Sequence, residues 1–430
     1  MTGGGAQLSL TGVQDKYLHF KAEHSFFESS HVTYENFAIE SMEITSNGNA
    51  NFGRTVDFVL ASNAELVSGA AMEITLPALT APGGNTVAWI RSIGIYIMDR
   101  AEFKAQASTL ELHYAEYTDM WSRLIIPASK RSGYNDLIGE LNVITTVTGG
   151  GTVNANQIST DSLQLLAATK AQQTILVPFH FWWCQDYTQA IPIGILLYTS
   201  LKIRIYFRDV AQCYIVSGGT LATTPALVEV RMFVDYVFLD DYARNRLARE
   251  ASFYVITQVQ HDGGVAVSDS TVNYKMPFMM PVLHLMWGVR EDAAIAVNVR
   301  RFDWWDRYTG NATQLPDQPM TQARIRINST DRIEPRDYLY HARYQPYKHH
   351  TSIPETRGVW LYSFALFPEN SDATGAANFS RSENNNLNIT FNTAGAGGIG
   401  TANPGELYVF AKNYNYLYIE AGYLTQLYNA

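Results

Sequence analysis

The chain has 430 residues, which is enough for two domains of about 200 residues each. Hydrophobic residues make up 47%, so it can bury large cores, while charged residues reach only 17%, below the usual share of about 25%. The formal net charge of -9 argues against a broad nucleic-acid-binding face, because such a face needs excess Lys and Arg to neutralise phosphates.

Aromatics account for 13% of the chain, with 26 Tyr. Low charge and abundant Tyr suit a surface largely covered by neighbours, and they equally fit a Tyr-rich β protein. Two cysteines, Cys184 and Cys213, cannot build a disulfide framework or a four-Cys metal site, and they fit a reducing compartment. Residues 1–10 lack a basic region followed by an apolar run, so no secretory signal is expected. No stretch of about 18 unbroken apolar residues occurs, so no transmembrane helix is expected.

In chain order, Tyr117, Trp121 and Leu124 fall at helical spacing and predict a short helix. Residues 159–170, with Asp161, Leu163 and Leu166, predict another. The apolar run 177–183 predicts a strand covered on both faces. From Leu201 to Arg208 apolar residues alternate with Lys202, Arg204 and Tyr206, the pattern of a strand with one face in a core and one face wet. Residues 228–232, 323–327 and 387–391 repeat it. Asp240 and Asp241 are placed to cap a helix through Tyr242, Arg244, Leu247 and Arg249. Residues 359–366 predict a second doubly covered strand.

Short strands separated by turns imply a sandwich or barrel, and the rarity of long helices disfavours a doubly wound α/β fold. The chain is too long for one sandwich of about 100 residues. The expected architecture is therefore all-β: two tandem eight-stranded antiparallel jelly rolls, with a few short helices and loop insertions. The expected divisions are an N-terminal segment 1–25, a first jelly roll 26–213, a linker 214–226 and a second jelly roll 227–430. The linker rests on Ser217-Gly218-Gly219-Thr220 and Thr223-Thr224-Pro225, which interrupt two strand patterns. No sequence repeat links the halves, so the duplication rests on length and strand count. Residues 148–152, 309–319 and 392–404 read as loop inserts on one exposed end.

Chemical motifs are sparse. Gly395-Ala396-Gly397-Gly398-Ile399-Gly400 matches G-x-G-x-x-G, but the sequence after it, Thr401-Ala402-Asn403-Pro404, offers no helix to meet a pyrophosphate. A flexible hairpin loop is the better reading. His349-His350 invites a metal, yet adjacent side chains on an extended segment point opposite ways. No H-E-x-x-H, zinc-spaced Cys pair or H-x-H occurs. A nucleophile elbow and a P-loop are absent too. Arg300-Arg301 beside Trp304-Trp305 could stack single-stranded nucleic acid, but the acidic balance favours a structural pair. Glycosylation-type sequons at Asn311, Asn328, Asn378 and Asn388 read as chance matches in an Asn-rich chain without a signal. No catalytic, cofactor-binding or metal-binding residue is nominated, and no enzyme is expected.

A series of segments resembles, in order, the double jelly-roll major capsid proteins of nucleocytoplasmic large DNA viruses. The segments are 4–8, 12–18, 26–27 and 36–40; Val177-Pro178, 181–184 and 190–193; 234–240 with Arg244 and Arg246; and Ile256 with 258–260. Pro281-Val282, Leu285, Trp287, residues 344–381, 413–415, Leu417 and Gly422 complete it. Departures fall at 19–23, at Ser382-Glu383-Asn384 and at 421–426. The resemblance implies a homotrimeric, pseudo-hexagonal capsomer that tiles an icosahedral shell. It also implies that residues 1–25 face inward, toward minor capsid proteins and an internal membrane. Penton and minor capsid proteins would be further partners, no direct nucleic-acid contact is expected, and assembly would take place in host cytoplasm. A minor capsid or scaffold subunit of the same fold, and a jelly-roll carbohydrate-binding surface protein, are the alternatives.

Overall fold

Strict alternation of buried and half-buried side chains along Leu201–Phe207 turns one face of that strand into a core, and the same pattern recurs along Asn386–Phe391. The computed structural model describes residues 2–140, 168–295 and 319–428, apart from 30, 32, 217–220, 222, 250, 251, 393–398, 401 and 402. It also describes residues 300, 302, 303 and 305. By their internal contacts the residues divide into two units, Met1–Asn36 and Phe37–Ala430.

The strands of the first sandwich are β1 (Phe37–Ile44), β2 (Thr55–Val59), β3 (Leu66–Leu76), β4 (Met98–Ala105), β5 (Ser108–Tyr114), β6 (Gln173–Pro178), β7 (Leu201–Phe207) and β8 (Glu229–Leu239). They form two antiparallel sheets, ordered β1-β8-β3-β6 and β2-β7-β4-β5. The second sandwich is built from β9 (Ser252–His261), β10 (Thr271–Lys275), β11 (Pro281–Glu291), β12 (Met320–Ile327), β13 (Thr330–Asp337), β14 (Val359–Ser363), β15 (Asn386–Phe391) and β16 (Gly405–Glu420). Its sheets run β9-β16-β11-β14 and β10-β15-β12-β13, which is the first order with every strand number raised by eight. The chain therefore carries two copies of one eight-stranded antiparallel jelly-roll topology. The helices that matter below are α1 (Ala115–Ile125), α2 (Ala128–Leu137), α3 (Asp241–Arg249) and α4 (Gln345–His349).

Each sandwich has its own core. In the first, Phe103 of β4 is packed against Phe181, Trp182 and Trp183 at ring separations of 5.8, 5.3 and 5.3 Å. In the second, Trp287 and Trp360 are fully buried with Leu285, Ile325 and Leu387.

The structure corrects four expectations. The strand at 229–239 hydrogen-bonds to β1 and β3, so it closes the first sandwich, and the expected junction at 214–226 falls before that sandwich ends. The run 177–183 is strand only to Pro178; Trp182–Gln185 is a helical turn that places both indoles inward. The run 359–366 is strand only to Ser363, and Leu366 is exposed. Thr169–Lys170 is a short strand paired with Leu79–Thr80, not the end of a helix, and the rest of that expected helix lies outside the described residues. The inserts at 148–152 and 309–318, and 393–398 with 401 and 402 of the third, also lie outside them. Asp240 caps α3 as expected, accepting from the Ala243 amide at 2.9 Å.

Met1–Asn36 contains short helices at Gly3–Ser9 and Lys16–His19 and leaves Leu8, Tyr17, Phe26 and Phe27 exposed.

Phe103→Ala removes the ring on which three aromatics converge, and a truncation of this kind costs about 3–5 kcal/mol. The expected outcome is a clearly lower urea midpoint by tryptophan fluorescence; an unchanged midpoint contradicts this packing.

Candidate functional site

The sequence places a helix directly after β5. Glu116 in its first turn and Arg123 in its last match the helix dipole, and Pro127 sits just beyond its end. Two faces of this helix, α1, are buried at once. Tyr117, Met120, Trp121 and Leu124 form a cluster with Val259, Met286, Val359, Leu361, Tyr408 and Phe410. The latter group stands on the outer face of sheet β9-β16-β11-β14, so a helix of the first sandwich roofs the second. Gly288 makes the close approach possible: a Cβ there would meet Met120 Cε at 2.6 Å and the Gly358 carbonyl at 3.0 Å.

Charge surrounds this apolar seam. Glu116 Oε1 accepts from Arg208 Nη2 at 2.9 Å and lies 3.5 Å from both Arg290 Nη atoms. Arg290, 3% exposed, also donates to the Phe302 carbonyl at 3.1 Å and to the Tyr408 hydroxyl. Burial pushes the Glu116 carboxyl up, but Arg208 and Arg290 outweigh it and hold it below the usual range. One turn on, Asp119 Oδ2 accepts from Trp305 Nε1 at 2.7 Å and from the Tyr96 hydroxyl at 3.0 Å, and its carboxylate takes a two-pronged contact from Arg123. Farther along, Trp121 stacks on His284 at 5.3 Å, and Lys412 Nζ sits 3.9 Å above the same indole. Burial, opposed by Glu111 and Glu369, brings the Lys412 ammonium down to about 8. Burial, with His350 and Lys412 nearby, pushes His284 well below the ordinary imidazole value.

These groups hold an angle; nothing in their arrangement presents a nucleophile beside a base. His349 and His350 do not lie on an extended segment. His349 ends α4 and engages the Leu366 carbonyl at 3.0 Å, while His350 engages Glu369 Oε1 at 2.8 Å, so the two rings diverge. Among the described residues no group of three or more His, Cys, Asp or Glu could hold a metal. Trp305 belongs to the seam, and Arg300 donates to the Tyr214 carbonyl; Arg301 and Trp304 lie outside the described residues. Ile399 precedes a short Gly400–Asn403 bridge, and the rest of that glycine motif lies outside the described residues. Of the sequons, Asn328 accepts from the Glu383 amide, Asn378 caps a helical turn at Ser380, Asn388 donates to Asn273, and Asn311 is not described. Helical spacing at Tyr117, Trp121 and Leu124 was legible; the charged partners Arg208, Arg290 and Lys412 carried no sequence signal.

A family model described as "Major capsid protein N-terminus" matches residues 25–240, and one described as "Large eukaryotic DNA virus major capsid protein" matches residues 243–425. The chain is 27% identical to a major capsid protein of Phaeocystis pouchetii virus and 28% identical to that of Pyramimonas orientalis virus, each over 98% of both chains. Among solved structures, the Faustovirus major capsid protein superposes with a TM-score of 0.76 at 14% identity, covering 95% of this chain and 94% of that one. A chain of the PBCV-1 virus capsid gives 0.75 at 23%, covering 94% and 100%. At those identities the likeness shows the fold.

Glu116→Ala leaves two buried guanidiniums without their shared carboxylate, and breaking a buried pair in this way costs about 3–5 kcal/mol. The expected result is a matching loss of stability in urea; a change under about 1 kcal/mol, the range of exposed pairs, contradicts the seam. A second outcome concerns pH. Burial holds His284, His341 (about 4) and His180 (about 3) below the ordinary value of 6.5. Between 6.5 and those values the unfolded chain binds more protons than the folded one, so stability is kept above pH 6.5 and lost as pH falls below it. His284→Leu should flatten that slope by up to one proton, about 1.4 kcal/mol per pH unit. An unchanged slope would place the loss elsewhere.

Proposed function

From the premise that this chain belongs to the major capsid protein family of large eukaryotic DNA viruses, we propose that it builds the virion shell as a homotrimeric, pseudo-hexagonal capsomer. It is a structural component of the capsid, and the family implies that it associates with itself and with neighbouring capsomers. The observation that carries the trimeric reading is the seam. Two sandwiches of identical strand order are locked side by side by a buried helix, so one chain supplies two like corners of a ring, and three chains supply six.

The work is geometric and needs no catalytic residue. Weak contacts between capsomers suffice, because many repeat across a facet. We divide the chain at α3, with a first jelly roll ending at Leu239 and a second beginning at Ser252; the two family matches part at the same place. The segment 1–25 fits an inward-facing role. Its apolar side chains, Leu8, Leu10, Val13 and Tyr17 among them, are exposed within its own unit and suit docking on a minor capsid protein or near an internal membrane. Cys184 and Cys213 are free thiols, consistent with assembly in the reducing host cytoplasm.

The purified protein should elute as one species of three times the 48.1 kDa chain mass by light scattering after size exclusion. A folded monomer across the concentration range would remove the capsomer reading.

A further inference from the structure

Four of the chain's ten histidines stand against the seam between α1 and the second sandwich. His113, near the end of β5, lies 5.0 Å from the Tyr117 ring. His261 of β9 stacks at 4.4 Å on Phe410, the ring that Tyr117 meets edge-on at 5.6 Å. His284 of β11 stacks on Trp121 at 5.3 Å, and His350, the residue after α4, meets the same indole edge-on at 5.8 Å. His284 and His350 are themselves 5.6 Å apart. Elsewhere the sandwiches bury fewer imidazoles: His180 lies beside Tyr134 in the first, and His341 beside Trp287 in the second.

Protons would unbalance the charge here. Lys412 of β16 sits opposite His284 in the strand register, and both are buried beneath Trp121. The carboxylates that face Lys412 are Glu111 and Glu369, and both are engaged. Glu111 contacts His113 at 2.8 Å and accepts from the Trp182 amide at 3.1 Å. Glu369 contacts His350 at 2.8 Å and accepts from the Thr351 amide at 3.0 Å. His349, next to His350, is turned to the Leu366 carbonyl and brings no negative charge. Neither ring nitrogen of His284 has a hydrogen-bond partner among the described residues. With His113 matched by Glu111 and His350 by Glu369, a proton on His284 makes a second buried cation beside Lys412 with no carboxylate left for it, which is costly in a dry seam. His261 does face carboxylates, Glu116, Asp262 and Glu406, yet burial still holds its imidazole below the ordinary value.

We propose that the seam is an acid-released latch: protonation of His261, His284 and His350 frees α1 from the second sandwich while both sandwiches stay folded. Every group belongs to one chain, so the latch does not rest on the trimeric reading. The sign follows from linkage. Burial lowers all three imidazoles below 6.5, so an opened seam binds more protons than a closed one as pH falls under that value. Closure is kept above pH 6.5 and lost below it. Carboxylates do not share this window. Burial raises Glu116 and Glu369, but Arg208 and Arg290 on one and His350 and Thr351 on the other outweigh it and hold both below 4.5. Once released, α1 has 11 residues and no roof to pack against, and an isolated helix of that length is marginal in water. The angle between the sandwiches is then no longer fixed, so acid loosens a shell from within its subunits.

Hydrogen exchange read by mass spectrometry on the full-length protein, corrected for the intrinsic rate at each pH, tests the latch. Peptides from α1 should lose protection by at least about tenfold per pH unit below 6.5, the slope of one proton, while peptides from β4 and β15, inside the two sandwiches, keep theirs. His284→Phe with His350→Asn leaves a ring on Trp121 and a donor near Glu369, and should restore at least about tenfold of the α1 protection at about pH 5. Protection of α1 that is unchanged between about pH 7.5 and 5 overturns the proposal. So does protection lost only together with β4 and β15, which is acid unfolding of the whole, and so does a folded double variant that opens as the wild type does. If the double variant does not fold, Lys412→Met decides. Removing the fixed cation should move the opening of α1 to lower pH, and an unmoved opening overturns the latch.

Discussion

The burial of α1 on two sides is the constraint on which the rest of the molecule depends. A sandwich can bury only its inner faces by itself, and each here has a complete core of its own. What sets the angle between the two is a third cluster, in which one helix gives its aromatic stripe to the neighbouring sheet and its Glu116 carboxylate to Arg208 and Arg290. Gly288 sets how closely the helix sits, because any side chain there would strike Met120 and the Gly358 carbonyl. The charges set the register. Glu116 and Asp119 lie three residues apart, on one stripe of the helix, and each meets partners from both halves of the chain: Arg208 and Arg290 for one, Tyr96 and Trp305 for the other.

Buried ion pairs of this kind contribute little net stability, since desolvation offsets most of the attraction. Their effect is on uniqueness. An apolar stripe alone could slide along the sheet by a turn at small cost, whereas a slide here would strand Glu116, Arg290 and Asp119 without partners, each at several kcal/mol. The seam is therefore stiff because its wrong registers are expensive. That is the property a subunit needs if its error in angle would be repeated across a whole shell.

Much of the architecture was legible in the sequence because one-sided strands write their burial as alternation; β7, β12 and β15 were read on that basis alone. What failed was non-local. β8 follows a Gly- and Thr-rich break and looks like a beginning, yet it pairs between β1 and β3, strands laid down more than 150 residues earlier. The aromatic run 177–183 misled because a continuous apolar stretch has no period with which to separate a buried strand from a plug of rings around Phe103. The seam was half visible. The spacing of Tyr117, Trp121 and Leu124 gave the helix, but its charged partners Arg208, Arg290 and Lys412 come from distant stretches of the chain and leave no local pattern.

Fusing two sandwiches in one chain changes the assembly problem. If six separate sandwiches had to meet, each would lose translational and rotational freedom, at roughly 4–15 kcal/mol per association. A chain that carries its own seam makes half of those contacts while it folds, at the high effective concentration of a tether. Fusion also lets the two kinds of contact diverge. The internal face holds Lys412 and His284 beneath a roofing Trp121, all of them buried. A face that must wait in water for its partner cannot be as apolar as one that never sees water without exposing the free chain to aggregation.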